Sequence, residues 1–261
     1  MEKVFYRINT IMKSCETALP FMPPTQLFNE GWMLRLILSW LSSLELAYDE
    51  HKLAIPQDCR WYSEALLPPA FQPERRGDKT GETWTHADGV IGNFEIGNGA
   101  KGNLSLLPGA KHFVVIEAKM FSKLSTGVKN ANYFNQAARN VACIAKALET
   151  IDLSLFRALG FYVVAPSSQI ELRIFEEFLR KDCIRNLVEK RASEYGRDKD
   201  KWFSNKFLPV LEKIEIKTIS WEDLIEFIMS RDREADQLRS FYVRCLAFNK
   251  QFRQKIRSSS T

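Results

Sequence analysis

Three residues in this chain have the types and spacing of a hydrolytic centre. The stretch HFVVIEAKMFSKLS, residues 112–125, begins as a buried strand, with Phe113, Val114, Val115 and Ile116 running together without charge, and then places Glu117, Ala118 and Lys119 at its end. Side chains at i and i+2 of a strand point the same way, so Glu117 and Lys119 project together while Ala118 faces away. Asp88 lies 29 residues before Glu117, in the β-type segment THADGVIG. An antiparallel return from 83–96 to 112–119 brings Asp88 beside Glu117. Two carboxylates at that distance repel each other. A divalent cation resolves the repulsion, and oxygen-only ligands with no cysteine nearby favour Mg²⁺ over Zn²⁺. Such an ion lowers the pKa of water and offsets the charge that builds on phosphorus, and a lysine ammonium adds a second positive point. The chemistry of this trio is phosphodiester hydrolysis. The bland alternative is an exposed strand end on which Glu117 and Lys119 form a solvated ion pair.

The elements that must position the trio are read from hydrophobic spacing. Leu27, Met33, Leu34, Ile37, Leu38, Leu41 and Leu44 recur at helical intervals and predict a first helix over 26–48, with Thr25 as its N-cap. Residues 61–67, WYSEALL, fit a short strand or a helix start equally well. The Pro-, Gly- and charge-rich segment 68–82 reads as a surface loop. The segments 83–96 and 112–119 then form an antiparallel meander of two or three strands. A second helix covers 130–149, a buried strand 159–165, and Ser168 with Glu171 makes a capping box for a third helix. The IEIKTI stretch is another strand, Ser220 and Asp223 open a helix, and a last amphipathic helix covers 234–255. Strands joined through helices imply one α/β domain: a mixed β-sheet flanked by helices, with a helical C-terminal extension. The boundaries expected are a domain over 1–230 and a basic helix and tail over 231–261 packed on it.

The bulk properties agree with such a domain. The chain has 261 residues, 45% of them hydrophobic, which is enough for a sizeable core and excludes global disorder. A formal charge of +5 permits a polyanionic partner without demanding one. The five widely spaced cysteines form no CxxC pair, so neither a zinc site nor a disulfide framework is expected. The N-terminus lacks an apolar signal region, and the most apolar helical stretch carries Arg35 and Glu45, so a cytoplasmic protein with no membrane partner is expected.

Asp88 followed by the E-x-K of Glu117, Ala118 and Lys119 after an apolar strand resembles the PD-(D/E)XK, or restriction-endonuclease-like, nuclease superfamily. The resemblance covers roughly residues 26–165 in element order; Ala87 stands where many members have proline. It implies a restriction-endonuclease-like fold and a Mg²⁺-dependent nuclease, with Mn²⁺ as a substitute, most readily a DNA endonuclease leaving a 5′-phosphate. Asp88, Glu117 and the backbone carbonyl of Ala118 would hold the metal, and Lys119 would position the attacking water or stabilise the transition state. Many members add a glutamate from the first helix, a role open to Glu30 and, alternatively, Glu64. Many also carry a glutamine on the following helix, which matches Gln136. Class habits suggest restriction, antiviral defence or a mobile element, with a homodimer or a targeting partner protein. The alternative is a non-catalytic nucleic-acid-binding or assembly module on the same fold.

Other candidates carry a structural reading beside a functional one. Lys123 and Lys129, in the loop after the E-x-K strand, are placed to touch a phosphate backbone, and Arg139 joins them from the next helix or is a solvated helix residue. His86 shares Asp88's strand face and is read as a structural histidine, with proton transfer as the alternative. Basic residues gather over 231–257 with Phe241, Tyr242, Phe248 and Phe252 interleaved. That pattern would grip phosphates, or it is an amphipathic helix whose aromatics pack on the core.

Overall fold

The computed structural model describes residues 1–75, 77–78, 80–97, 102–128 and 130–258, with the backbone alone for 251–258. In chain order the elements are α1 (Glu2–Ser14), α2 (Glu30–Ser43), β1 (Arg60–Leu67), β2 (Thr85–Gly92), β3 (Phe94–Ile96), β4 (Leu104–Leu106), β5 (His112–Ala118), α3 (Gln136–Ala147) and β6 (Ala158–Ala165). There follow α4 (Ser167–Glu171), α5 (Glu176–Leu179), α6 (Lys181–Tyr195), α7 (Lys199–Trp202), α8 (Leu208–Lys213), β7 (Glu215–Ser220), α9 (Trp221–Met229) and α10 (Asp236–Ser258). The sheet runs β1-β2-β5-β6-β7, and β3 with β4 forms a separate two-stranded ribbon. β1, β2 and β5 pair antiparallel, whereas β5, β6 and β7 pair parallel. The sheet is therefore mixed, as the order of elements predicts.

β5 is the central strand, and its alternation feeds two cores. Phe113 and Val115 pack on the side of α3 and α6, while Val114, Ile116 and Ala118 pack on the side of α2, α9 and α10. Burial on both faces is why this strand reads as an unbroken apolar run. α10 closes the second core, with Phe241 and Phe248 against Phe28 and Tyr242 buried and bonded to Glu222. The interleaved aromatics of this helix thus serve packing, not phosphate stacking; the Phe252 side chain lies outside the described residues. No helix among the described residues is long and apolar enough to cross a membrane.

Several predicted boundaries are corrected by capping. α2 starts at Glu30 instead of 26, because the Asn29 side chain accepts the Trp32 N–H and Pro24–Gln26 form a 3₁₀ turn; Thr25 is not the cap. It ends at Ser43, ahead of Glu45 in a left-handed conformation. α3 starts at Gln136 because Asn135 caps the Ala138 N–H. The capping box of Ser168 and Glu171 does not form: Pro166 holds the N-cap position of α4 without a side-chain bond, and the helix ends after five residues. Ser220 does cap α9, accepting the Asp223 N–H at 2.9 Å. Residues 61–67 resolve as strand, and α1 and α6 are helices the periodicity reading did not include.

Candidate active site

The sheet forks at Asp88. The β1–β2 ladder runs from Arg60↔Gly92 to Leu67↔Thr85 but skips the Glu64–Asp88 pair, where Glu64 adopts a left-handed φ of 59°. The β2–β5 ladder ends at Gly89↔Ile116. One step further in that register, Asp88 stands opposite Glu117. At this point a carboxylate replaces the backbone acceptor: Asp88 Oδ2 accepts the main-chain N–H of Ala118 at 2.7 Å. The glycine after Asp88 has a packing reason, since a Cβ there would meet the Leu34 and Leu38 side chains of α2 at 3.0 and 3.2 Å.

β5 keeps its other neighbour beyond the fork. Glu117 and Ala118 still pair with Val163 and Val164 of β6, and the Lys119 N–H donates to the Val164 carbonyl at 2.8 Å. The indole N–H of Trp221, which opens α9, donates to the Lys119 carbonyl at 2.9 Å. The strand end carrying Glu117 and Lys119 is thereby held on its β6 side, while its pairing with β2 has stopped.

Glu117 is the centre of the side-chain network and is 2% exposed. Lys119 donates to its Oε1, and Gln136 Nε2, at the start of α3, donates to the same oxygen at 2.5 Å. Asn140, one turn on, reaches Oε2 at 3.5 Å, a long and weak contact. Ala118 faces the opposite core, as strand alternation requires. Burial first, and then the negative charge of Asp88, push the Glu117 carboxyl up to about 7, against the opposing pull of the Lys119 ammonium. Asp88, Glu117, Lys119 and Gln136 therefore meet at one place.

The remaining candidates are placed differently. Glu30 lies in the first turn of α2, near Cys245, and among the described residues no hydrogen bond or ion pair joins it to the trio. Glu64 turns to Arg35 at 3.3 Å and lies 4.0 Å from His86 Nδ1, so it is engaged elsewhere. Lys123 is exposed in the loop after β5. Lys129 lies outside the described residues. Arg139 follows Gln136 by one turn, and its Nε is buried without a hydrogen-bond partner. Trp221 was not singled out from the sequence. A buried tryptophan needs an acceptor for its N–H, but its location is not legible from the chain.

The donor set fits a hard cation. Among the described residues no group of three His, Cys, Asp or Glu side chains gathers; the set is two carboxylates and a main-chain carbonyl. Mg²⁺ takes such a set, since it keeps several waters and uses one or two carboxylates. Asp88 spends Oδ2 on Ala118 and Glu117 spends Oε1 on Lys119 and Gln136, leaving Oδ1 and Oε2 as the side-chain donors. Comparison with known protein families, with curated proteins and with solved structures yields no match.

Proposed function

We propose that this protein is a Mg²⁺-dependent nuclease of the restriction-endonuclease-like kind, with DNA as its substrate, serving restriction, defence or a mobile element. The observation that carries the reading is the convergence of Asp88 and Glu117 across the fork, with Lys119 bonded to the same carboxylate. Two acids forced together in a partly buried site favour a cation strongly. When bound, the ion would supply a Lewis acid that activates water and offsets charge on the phosphoryl group.

The chain's own residues have distinct tasks in this reading. Asp88 and Glu117 hold the cation with the Ala118 carbonyl. Lys119, aligned by Glu117, places a positive charge beside the phosphoryl oxygens and orients the attacking water. Gln136 fixes the rotamer of Glu117. Water oxygen bonds to phosphorus, the P–O3′ bond breaks, and the 3′-oxygen takes up a proton, leaving the phosphate on the 5′ side.

A non-catalytic nucleic-acid-binding module is the second reading, and one observation favours it: the Lys119 ammonium already neutralises Glu117 internally, and Gln136 donates to the same oxygen. Incubation of the purified protein with plasmid, linear and single-stranded DNA and with RNA, in Mg²⁺, Mn²⁺ or EDTA, separates the two. Metal-dependent cutting that disappears in both Asp88→Ala and Lys119→Ala supports the nuclease. Binding without cutting, unchanged in both variants, supports the module.

A further inference from the structure

The loop before β2 and the loop after β5 leave the sheet at the same end as the trio, and between them lies a cleft of about 530 Å³. The loops are clamped to each other, with Asn130 Nδ2 donating to the Gly81 carbonyl at 2.9 Å. Arg139 enters the cleft from α3, with Arg75 on its rim. The acids of the cleft are already committed. Glu82 pairs with Arg191 at 2.7 Å, and Asp78 takes Thr80, the Glu74 N–H and Arg197. Among the described residues Arg139 and Arg75 form no ion pair with a carboxylate, although the Arg139 charge acts on nearby Glu82, and the Arg139 Nε–H is buried without an acceptor, which is costly. An anion entering the cleft would meet the positive charge of both arginines.

We propose that this cleft seats one unpaired nucleotide, its phosphate on Arg139 and Arg75, so that the substrate is single-stranded or frayed nucleic acid; the assignment rests on the nuclease reading. Size selects the ligand. Pockets for a single small ligand span roughly 300–1,000 Å³, so the cleft has room for one nucleotide and not for a base-paired duplex. Among the described lining residues none is aromatic. Pro73 and Val128 therefore hold the base by contact instead of stacking, and no strong base preference is expected.

Fluorescence anisotropy in EDTA tests this without cleavage, using three probes of equal charge: a single-stranded oligodeoxynucleotide, a duplex with a single-stranded overhang, and a blunt duplex. Because only the first two probes offer an unpaired nucleotide to the cleft, they should bind about tenfold more tightly than the third. Arg139→Ala and Arg75→Glu should abolish that ratio, while Arg157→Ala, at the opposite end of the sheet, should keep it. Thermal unfolding monitors folding, and Arg75→Glu, at an exposed position, decides the matter if Arg139→Ala does not fold. Equal binding of the three probes, no binding of any, or a ratio that survives Arg75→Glu overturns the proposal. A ratio that behaves as expected in a protein that never cuts would overturn the nuclease reading and leave the cleft assignment standing.

Discussion

Asp88 accepts a hydrogen bond from the Ala118 N–H at 2.7 Å, across 30 residues of chain. A side chain here takes the place of a ladder carbonyl, and the substitution both ends the pairing of β2 with β5 and sets one carboxylate beside another. The same bond therefore shapes the fork and charges it.

Metal binding should depend on that geometry. Mg²⁺ at a hundred times its dissociation constant is expected to stabilise the wild-type protein by about 2.7 kcal/mol, seen as a rise in Tm. Asp88→Ala and Glu117→Gln should remove the rise. An equal rise in both variants would place the cation elsewhere.

Lys119 should separate chemistry from metal binding. Its ammonium sits on Glu117 Oε1 and is not a metal ligand. Lys119→Met is expected to lower cleavage by about 10²–10³-fold, the scale for removing one preorganised charge-stabilising group, while keeping the Mg²⁺-dependent rise in Tm. Cleavage that survives the change would remove Lys119 from the site.

The wall of the cleft should depend on a buried ion pair. Arg191 is bonded to Glu82 and to the Thr80 carbonyl, both residues are buried, and burial raises the Glu82 pKa. Arg191→Met strands a buried carboxylate and should cost about 3–5 kcal/mol. The double variant with Glu82→Gln should be more stable than Arg191→Met alone. Denaturant unfolding of the four members of the cycle measures the coupling, and simple additivity would contradict it.

Acid should destabilise the fold through His112. The ring is 1% exposed, neither nitrogen has a hydrogen-bond partner among the described residues, and burial pushes its pKa down to about 4. A folded pKa below the unfolded value of about 6.5 means full stabilisation above pH 6.5, lost as pH falls toward 4. Between pH 7 and 5 the loss from this group is about 2 kcal/mol. Urea unfolding should show wild type losing that much more than His112→Leu over the same interval. Equal losses would mean that His112 is not held neutral.

Elements buried on both faces were legible in the chain. β5 and β6 read as apolar runs because each is covered by helices on either side. α9 was legible from Ser220 and Asp223, whose capping bond is local. β1 was not: its alternation is interrupted at Glu64, and it is a strand because β2 lies beside it. α1 escaped for a different reason. Val4, Phe5, Ile8 and Ile11 have helical spacing, but all four are exposed and no core face marks them.

Within the candidate site, the residue types and the i, i+2 spacing of Glu117 and Lys119 already determined that acid and base leave the strand on one side, because strand alternation is a local property. Gln136 and Asn140 were likewise spaced to share a helix face. Which acid joins them was decided only in three dimensions: the register of β2 against β5 sets Asp88 opposite Glu117, while Glu64 is drawn to Arg35 and Glu30, among the described residues, makes no bond to the trio. Register is a cooperative outcome of every cross-strand contact and of the cores on both faces, so no single stretch of sequence contains it.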